Sequence, residues 1–319
     1  MSSYISAMTS TSASTSAAVH APSPEDNRVI GFTIPARSGR GRAMRLGDTL
    51  GVILSAHDYP PRAAEALGEA LVLTALIGSA LKGDGAQATV QAKAKGGAIG
   101  LLVCDYRAGE LRGYLQHDPA ALSALNDNAA LPGLFGEGYL AVTLDPGAGQ
   151  ERYQGIVPLE GADLATAFSQ YFQSSEQIPT MLRAAVRQDE QGGWHAGGLL
   201  VQHLPRGEEG QTRLHADDAS DGGAGEDWAH LSALSQTVTA VELTDPDLDL
   251  ETLLWRLFNE DDVRLQPPVG LSRGCRCSIG NIETKLKTFP EAEKVQMRDD
   301  DGLVRVDCEF CSRQFEVAI

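Results

Sequence analysis

Gly274-Cys275-Arg276-Cys277-Ser278 and Asp307-Cys308-Glu309-Phe310-Cys311-Ser312 decide how this chain is read, and thirty residues lie between Cys277 and Cys308. Four thiolates make a complete tetrahedral shell for one zinc ion, and an all-cysteine set is characteristic of closed, structural sites. All seven histidines lie upstream, between positions 20 and 230, so none from the tail competes for a place. One zinc per chain is therefore expected, held by Cys275, Cys277, Cys308 and Cys311. The C-x-x-C half has the usual knuckle spacing. The C-x-C half does not, because one intervening residue is too few for that turn, and this suggests a site built for more than stability. A zinc ribbon that merely staples a small tail is the plainer reading. Spacing alone leaves a structural and a regulatory metal both open.

Just upstream the composition changes sharply. Residues 206–268 hold 15 Asp and Glu against 4 Arg and no Lys, whereas 269–319 is nearly neutral. A segment this acidic is solvated and self-repelling, and it reads as a metastable linker. Gly207–Gly225 should be a loop. Trp228–Val241 and Leu250–Asn259 then read as amphipathic helices separated by Thr244-Asp245-Pro246-Asp247. Apolar helical faces in so acidic a segment should fold only against a neighbour.

Further out, residues 28–205 alternate short strand patterns with a few helices. A buried helix is expected over Arg62–Lys82, after the prolines of His57-Asp58-Tyr59-Pro60-Pro61. Strands are expected at Ala88–Ala94, Ile99–Asp105, Gly109–Leu115, Gly138–Leu144, Tyr153–Pro158, Met181–Arg187 and Ala196–Leu204, with an opening strand within Val29–Arg45. Runs of strands with interspersed helices indicate an α+β core of mixed sheet and helix rather than a doubly wound parallel sheet. Residues 1–27, Ser/Thr/Ala-rich, read as a disordered tail with no apolar leader, and no segment is long enough to span a bilayer. The expected setting is cytoplasmic, where clustered cysteines hold metal more often than they form structural disulfides.

A net charge of −17 argues against nucleic acid as a partner, and no membrane partner is expected. Cys104, inside Leu101-Leu102-Val103-Cys104, reads as a buried core thiol. His57 and Asp58 are explained by a turn and helix cap. Arg37, Arg40, Arg42 and Arg45 read as a solvated face, with the chain's own acidic linker as the other option. Catalytic use of His195 or His203 is not expected. The glycines at 192–193, 197–198 and 222–223 lack phosphate-cradle spacing and no GxxxxGK[ST] occurs, so neither an enzyme nor an ATP-driven cycle is indicated.

Taken with their positions, C-x-C and C-x-x-C near the C-terminus resemble the redox-regulated holdase chaperones of the heat shock protein 33 family. His57-Asp58-Tyr59-Pro60 resembles that family's turn before its buried helix. Glu151-Arg152-Tyr153-Gln154-Gly155, and Tyr171-Phe172 through Ser175-Glu176-Gln177-Ile178-Pro179-Thr180, resemble its core signatures. Leu254-Trp255-Arg256-Leu257-Phe258 resembles the end of its linker, and Leu286-Lys287-Thr288-Phe289-Pro290 the helix of its zinc domain. The extension at 1–27 and the acidic insertion near 207–225 depart from the pattern. The resemblance implies a switch: oxidation pairs neighbouring cysteines, releases zinc, unfolds residues 269–319 and loosens the linker, which then binds unfolding client proteins without ATP. The pairs expected are Cys275–Cys277 and Cys308–Cys311. Leu231, Leu234, Leu253, Leu254, Leu257 and Phe258 are the expected client-binding surface, docked on the core in the reduced state. A homodimer of the oxidised form rests on the resemblance alone. The rival readings are a constitutive zinc-ribbon interaction module and, behind it, a thiol–disulfide oxidoreductase.

Overall fold

The computed structural model describes residues 26–83, 85–126, 129–147, 151–204 and 222–318. Nearly all of the 1–27 tail, most of the 207–225 loop, and Ala148-Gly149 of the expected hairpin turn lie outside the described residues.

Strands β1 (Asn27–Ile34) and β2 (Gly39–Leu46) are joined by a 3-10 turn and lead into helices α1 (Asp48–Leu54) and α2 (Pro61–Gly78). A meander follows, β3 (Gln87–Gly96), β4 (Ile99–Arg107) and β5 (Glu110–His117), then short helices α3 (Pro119–Ser123) and α4 (Leu131–Phe135). Strands β6 (Gly136–Asp145) and β7 (Tyr153–Pro158) precede α5 (Leu164–Tyr171), β8 (Thr180–Gln188) and β9 (Trp194–His203). The acidic segment supplies α6 (Gly222–Gln236), α7 (Ala240–Thr244) and α8 (Leu250–Phe258). Three two-residue strands, β10 (Arg264–Leu265), β11 (Val269–Gly270) and β12 (Ser272–Arg273), lead to α9 (Ile279–Leu286), α10 (Glu291–Met297), β13 (Leu303–Asp307) and β14 (Gln314–Ala318).

Two six-stranded sheets form the core, making the chain α+β as its pattern indicates. One runs β10-β1-β2-β9-β8 with β11 also on β1, and the other runs β12-β5-β4-β3-β6-β7. Every pairing is antiparallel except β12 with β5. Helix α2 lies between the sheets, and 14 of its 18 residues are buried. A helix so largely apolar, with Arg62, Glu65 and Glu69 as its only charged residues, has to be mostly enclosed, and Pro61 in its first turn suits its start. Glycine lets each sheet close on it. A Cβ on Gly113 would lie 2.9 Å from Leu67, and one on Gly198 would lie 2.4 Å from Val72.

The first sheet is buried on both faces. Val29, Met44, Leu46, Ala196 and Leu200 point toward α2, whereas Ile30, Phe32, Ile34, Ala43, Leu199 and Val201 point outward under α6, α7 and α8. Gly197, next to Gly198, serves the outer face: a Cβ there would stand 1.9 Å from the Leu243 carbonyl oxygen of α7. The adjacent glycines, which fit no phosphate cradle, are where helices approach from opposite sides.

Several expectations need correction. The stretch Val29–Arg45 is a hairpin of two strands, not one. The helix expected at Trp228–Val241 stops at Gln236, and α7 restarts after Thr239, whose hydroxyl accepts from the Glu242 N–H while the Glu242 carboxylate accepts from the Thr239 N–H. Residues 287–290 are not helical but form the turn between α9 and α10. The arginine cluster is no solvated face. Arg37 pairs with Asp227 and Asp261 at 3.0 and 3.1 Å, and buried Arg45 donates to the carbonyls of Leu248 and Glu242.

Candidate metal centre

Cys275 and Cys277 follow β12 on a loop whose exit is fixed by Ser278, the N-cap of α9, which accepts from the Asn281 N–H. The Asn281 side chain in turn donates to the Arg276 carbonyl at 3.2 Å, pinning the C-x-C backbone. Cys308 and Cys311 sit in the turn between β13 and β14. There the Cys311 and Ser312 N–H groups both donate to the Cys308 carbonyl, at 3.1 and 2.7 Å, and Ser312 takes a left-handed φ of 53°. This turn is the knuckle that C-x-x-C spacing allows and C-x-C does not.

The four Sγ atoms lie within 4.8 Å of one another. Cys275 is 3.3 Å from Cys277 and 3.5 Å from Cys308, and Cys277 is 3.5 Å from Cys311. Four sulfurs at about 2.3 Å from a central ion stand about 3.8 Å apart. The cluster therefore fits one tetrahedral metal ion, and the four cysteines could hold it.

The thiols are electrostatically unequal. Burial and the shared hydrogen bonds of neighbouring thiols push Cys277 up, and burial together with Cys275 also raises Cys308. Burial opposes ionisation of Cys311 as well, but the Arg313 backbone N–H and the surrounding thiols outweigh it and bring Cys311 down to about 7. Cys104 is fully buried away from this site, and burial raises its thiol well above the ordinary range, as a core thiol should behave.

The scaffold around the sulfurs is thin. Leu286, Val304 and Val317 are the buried residues of its apolar cluster, with Ile282, Val306 and Phe315 packed partly against them. Three buried aliphatic side chains supply about 5–9 kcal/mol of transfer free energy. A structural zinc contributes on the order of 10 kcal/mol or more. A zinc ion bound there would outweigh the packing.

The expected client-binding residues lie elsewhere. Leu231, Leu253, Leu254, Leu257 and Phe258 are buried on the outer face of the first sheet, and Leu234 is partly buried beside them. The Phe258 ring stands 5.8 Å from that of Phe32. Sequence reasoning missed His57 as a neighbour of this site. It caps no helix, since Pro60 is the N-cap of α2, and its Nε2–H instead donates to the Glu309 carbonyl at 2.6 Å. Its position in a sharp turn before the buried helix was the available signal, but its partner lies 252 residues away. Of the other histidines, His195 lies 2.9 Å from the Asp189 carboxylate and His203 is buried at the end of β9.

A two-sheet core threaded by one buried helix and followed by a four-cysteine unit defines a recognised class. A statistical model of the family described as Hsp33 protein matches residues 27–318. A 33 kDa chaperonin of Caulobacter vibrioides (strain NA1000 / CB15N) is 41% identical over 299 residues, covering 92% of this chain and 95% of the relative. Another, from Ectopseudomonas mendocina (strain ymp), is 37% identical over 277 residues, covering 86% and 87%. The fold is also that of the crystal structure of a 33 kDa chaperonin from Thermotoga maritima. The TM-score is 0.73 at 21% identity, with 92% of this chain and 95% of that one covered. The chain belongs to the Hsp33 family.

Proposed function

We propose that this protein is a redox-regulated, ATP-independent holdase chaperone rather than an enzyme, working in the cytoplasm on unfolding proteins. The observation that carries the reading is the pairing of a four-thiolate cluster with a buried core of three residues. A unit so dependent on its ligands loses its fold when they are oxidised. Among the described residues, no helix is long and apolar enough to cross a membrane.

In the reduced state Cys275, Cys277, Cys308 and Cys311 hold zinc, one ion per chain. When bound, the ion keeps all four sulfurs as thiolates and ties the two half-sites together. Thiolates are the form that attacks peroxides. Oxidation pairs Cys275 with Cys277 and Cys308 with Cys311. Present distances do not select both pairs, because Cys277 lies 3.3 Å from Cys275 and 3.5 Å from Cys311 across the halves, but each pair stays close in sequence once the halves separate. Residues 269–319 then unfold, and the linker at 206–268 loses its neighbour. Leu231, Leu234, Leu253, Leu254, Leu257 and Phe258 become the surface that holds clients, and apolar exposure on that scale favours association, including a homodimer of the active form.

The test is aggregation of an unfolded client without ATP, in the presence of reduced zinc-loaded or oxidised protein. Suppression only after oxidation is expected. Equal suppression in both states favours a constitutive zinc-ribbon module instead.

A further inference from the structure

The residues between and beside the paired cysteines are seated on the core. On the knuckle side, the Glu309 carbonyl accepts from His57 Nε2 at 2.6 Å, and the Ser312 hydroxyl donates to the Ala56 carbonyl with His57 Nδ1 3.3 Å away. Between Glu309 and Cys311, the Phe310 ring lies under the Arg112 guanidinium, 4.1 Å from its carbon to the ring centroid. On the other side, Arg276, the single residue between Cys275 and Cys277, donates to Gln87 Oε1 at 2.8 Å.

These anchors are joined across three adjacent strands. Arg112 on β5 donates through Nε and Nη2 to Asp105 Oδ2 at 2.7 and 2.5 Å. Buried Asp105 on β4 accepts from Thr89 Oγ1 at 2.6 Å, and Thr89 on β3 accepts from Gln87 Nε2 at 3.0 Å. Phe310 and Arg276 are thus the two ends of one side-chain chain on the core.

We propose that His57, Arg112 and Gln87 form a positioning seat that holds both cysteine pairs open and so restrains their oxidation. The inference rests on the redox reading above. A disulfide needs its sulfurs at about 2.05 Å with a fixed dihedral angle. Drawing Cys308 and Cys311 to that distance turns the peptide units of Glu309 and Phe310, and closing Cys275 on Cys277 swings Arg276 away from Gln87. Contacts made only by the open dithiol form favour that form, and disulfide closure reciprocally weakens the contacts. The chemistry is a peroxide oxidation. One thiolate attacks hydrogen peroxide, the O–O bond breaks and hydroxide leaves, giving a sulfenic acid; the partner thiolate then forms the S–S bond and expels a second hydroxide.

The experiment uses the reduced, zinc-loaded full chain mixed with hydrogen peroxide, following zinc release with a colorimetric metal indicator and thiol loss in parallel. His57→Ala and Gln87→Ala should each accelerate both signals several-fold. The double variant should do so on the order of tenfold, as expected for loss of two contacts of ordinary strength. Arg112→Lys, which keeps a cation for Asp105 but loses the planar stack on Phe310, should also accelerate them. Each variant should still bind one zinc and keep wild-type hydrogen exchange over 27–204, and Lys287→Ala, exposed at the end of α9, should oxidise at the wild-type rate. Seat variants that load zinc and oxidise no faster than wild type overturn the proposal. If they do so while oxidised wild type still holds clients, the seat alone fails; if oxidised wild type holds no client, the functional reading fails and the rates still judge the seat.

Discussion

The linker and the cysteine unit both lie against the core, but different forces hold them. Nine linker side chains, from Leu231 to Phe258, are buried in one cluster with the outer face of the first sheet. The cysteine unit's own apolar cluster buries three. The linker's acidic groups are matched as well: Arg28 grips Glu251 through both guanidinium ends at 2.9 and 2.7 Å, and Arg37 takes Asp227 and Asp261. Asp261 also lies 2.9 Å from His230 Nε2. The net charge of 206–268 overstates its repulsion from the core, since the core answers it with arginine. What the contrast teaches is that residues 231–258 are held by packing, whereas the cysteine unit has little packing of its own and four thiols placed where they could hold a metal ion.

Removing the metal should separate the two regions most sharply. Chelation of fully reduced protein should raise amide exchange over 275–318 to unfolded-chain rates while 27–204 stays protected, because on the order of 10 kcal/mol of support leaves the tail alone. A Cys→Ser variant at all four positions should behave likewise and carry no zinc. A protected tail in either case breaks the contrast.

The next effect reverses the experiment. Gly197→Ala places a methyl against the Leu243 carbonyl, and should lift α7 and its neighbours from the sheet without touching the cysteines. We expect reduced, zinc-loaded Gly197→Ala to expose 228–258 in hydrogen exchange and to hold clients without oxidation. Gly198→Ala, one residue along but facing α2, should instead lower the stability of the whole core by about 1–3 kcal/mol, as overpacking does. Identical behaviour of the two variants would mean that the faces of β9 are not independent.

A smaller effect tests the core by itself. Burial pushes the Glu69 carboxyl on α2 up to about 7, helped by Asp163, although it accepts from the Ala165 N–H at 3.0 Å. A carboxyl raised on folding binds its proton more tightly in the folded chain, so the contribution of Glu69 to stability is full at low pH and is lost as pH rises between about 4.5 and 7. Glu69→Gln should therefore stabilise the core by up to about 3 kcal/mol at pH 8 and by less than about 1 kcal/mol at pH 5, seen in thermal melts. Zinc content and linker protection should not change. The smallest effect is ionic: added salt should speed exchange of α6 modestly in wild type and less in Arg37→Ala, which has lost the Asp227 and Asp261 pairs to arginine.

Much of this architecture was legible because period and spacing carry it. Alternation marked β3 and β5, a hairpin pattern marked β6 and β7, a mostly apolar helix announced its own enclosure, and C-x-x-C fixed a knuckle. What was hidden depends on partners distant in the chain. Strand β2, Gly39-Arg40-Gly41-Arg42-Ala43-Met44-Arg45-Leu46, reads poorly because arginines occupy strand positions, and the reason for Arg45 is the acidic segment some 200 residues later. The break before α7 was readable in principle, as Thr239 and Glu242 have capping-box spacing. Strands of two residues have no period at all, so β10, β11 and β12 could not be seen.

Those three strands have a mechanical consequence. Running from Arg264 to Arg273, they cross from the edge of one sheet at β1 to the edge of the other at β5, with Leu271 buried between and its N–H bonded to the Asn27 carbonyl at 2.8 Å. Each pairing is only two residues long. Tension applied through the tail meets these fastenings in series, β12 before β11 and β11 before β10, so they peel one at a time instead of sharing the load. A pull on the C-terminal end should undo the molecule at low force as far as α8, whereas the long rungs between β1 and β2 resist together.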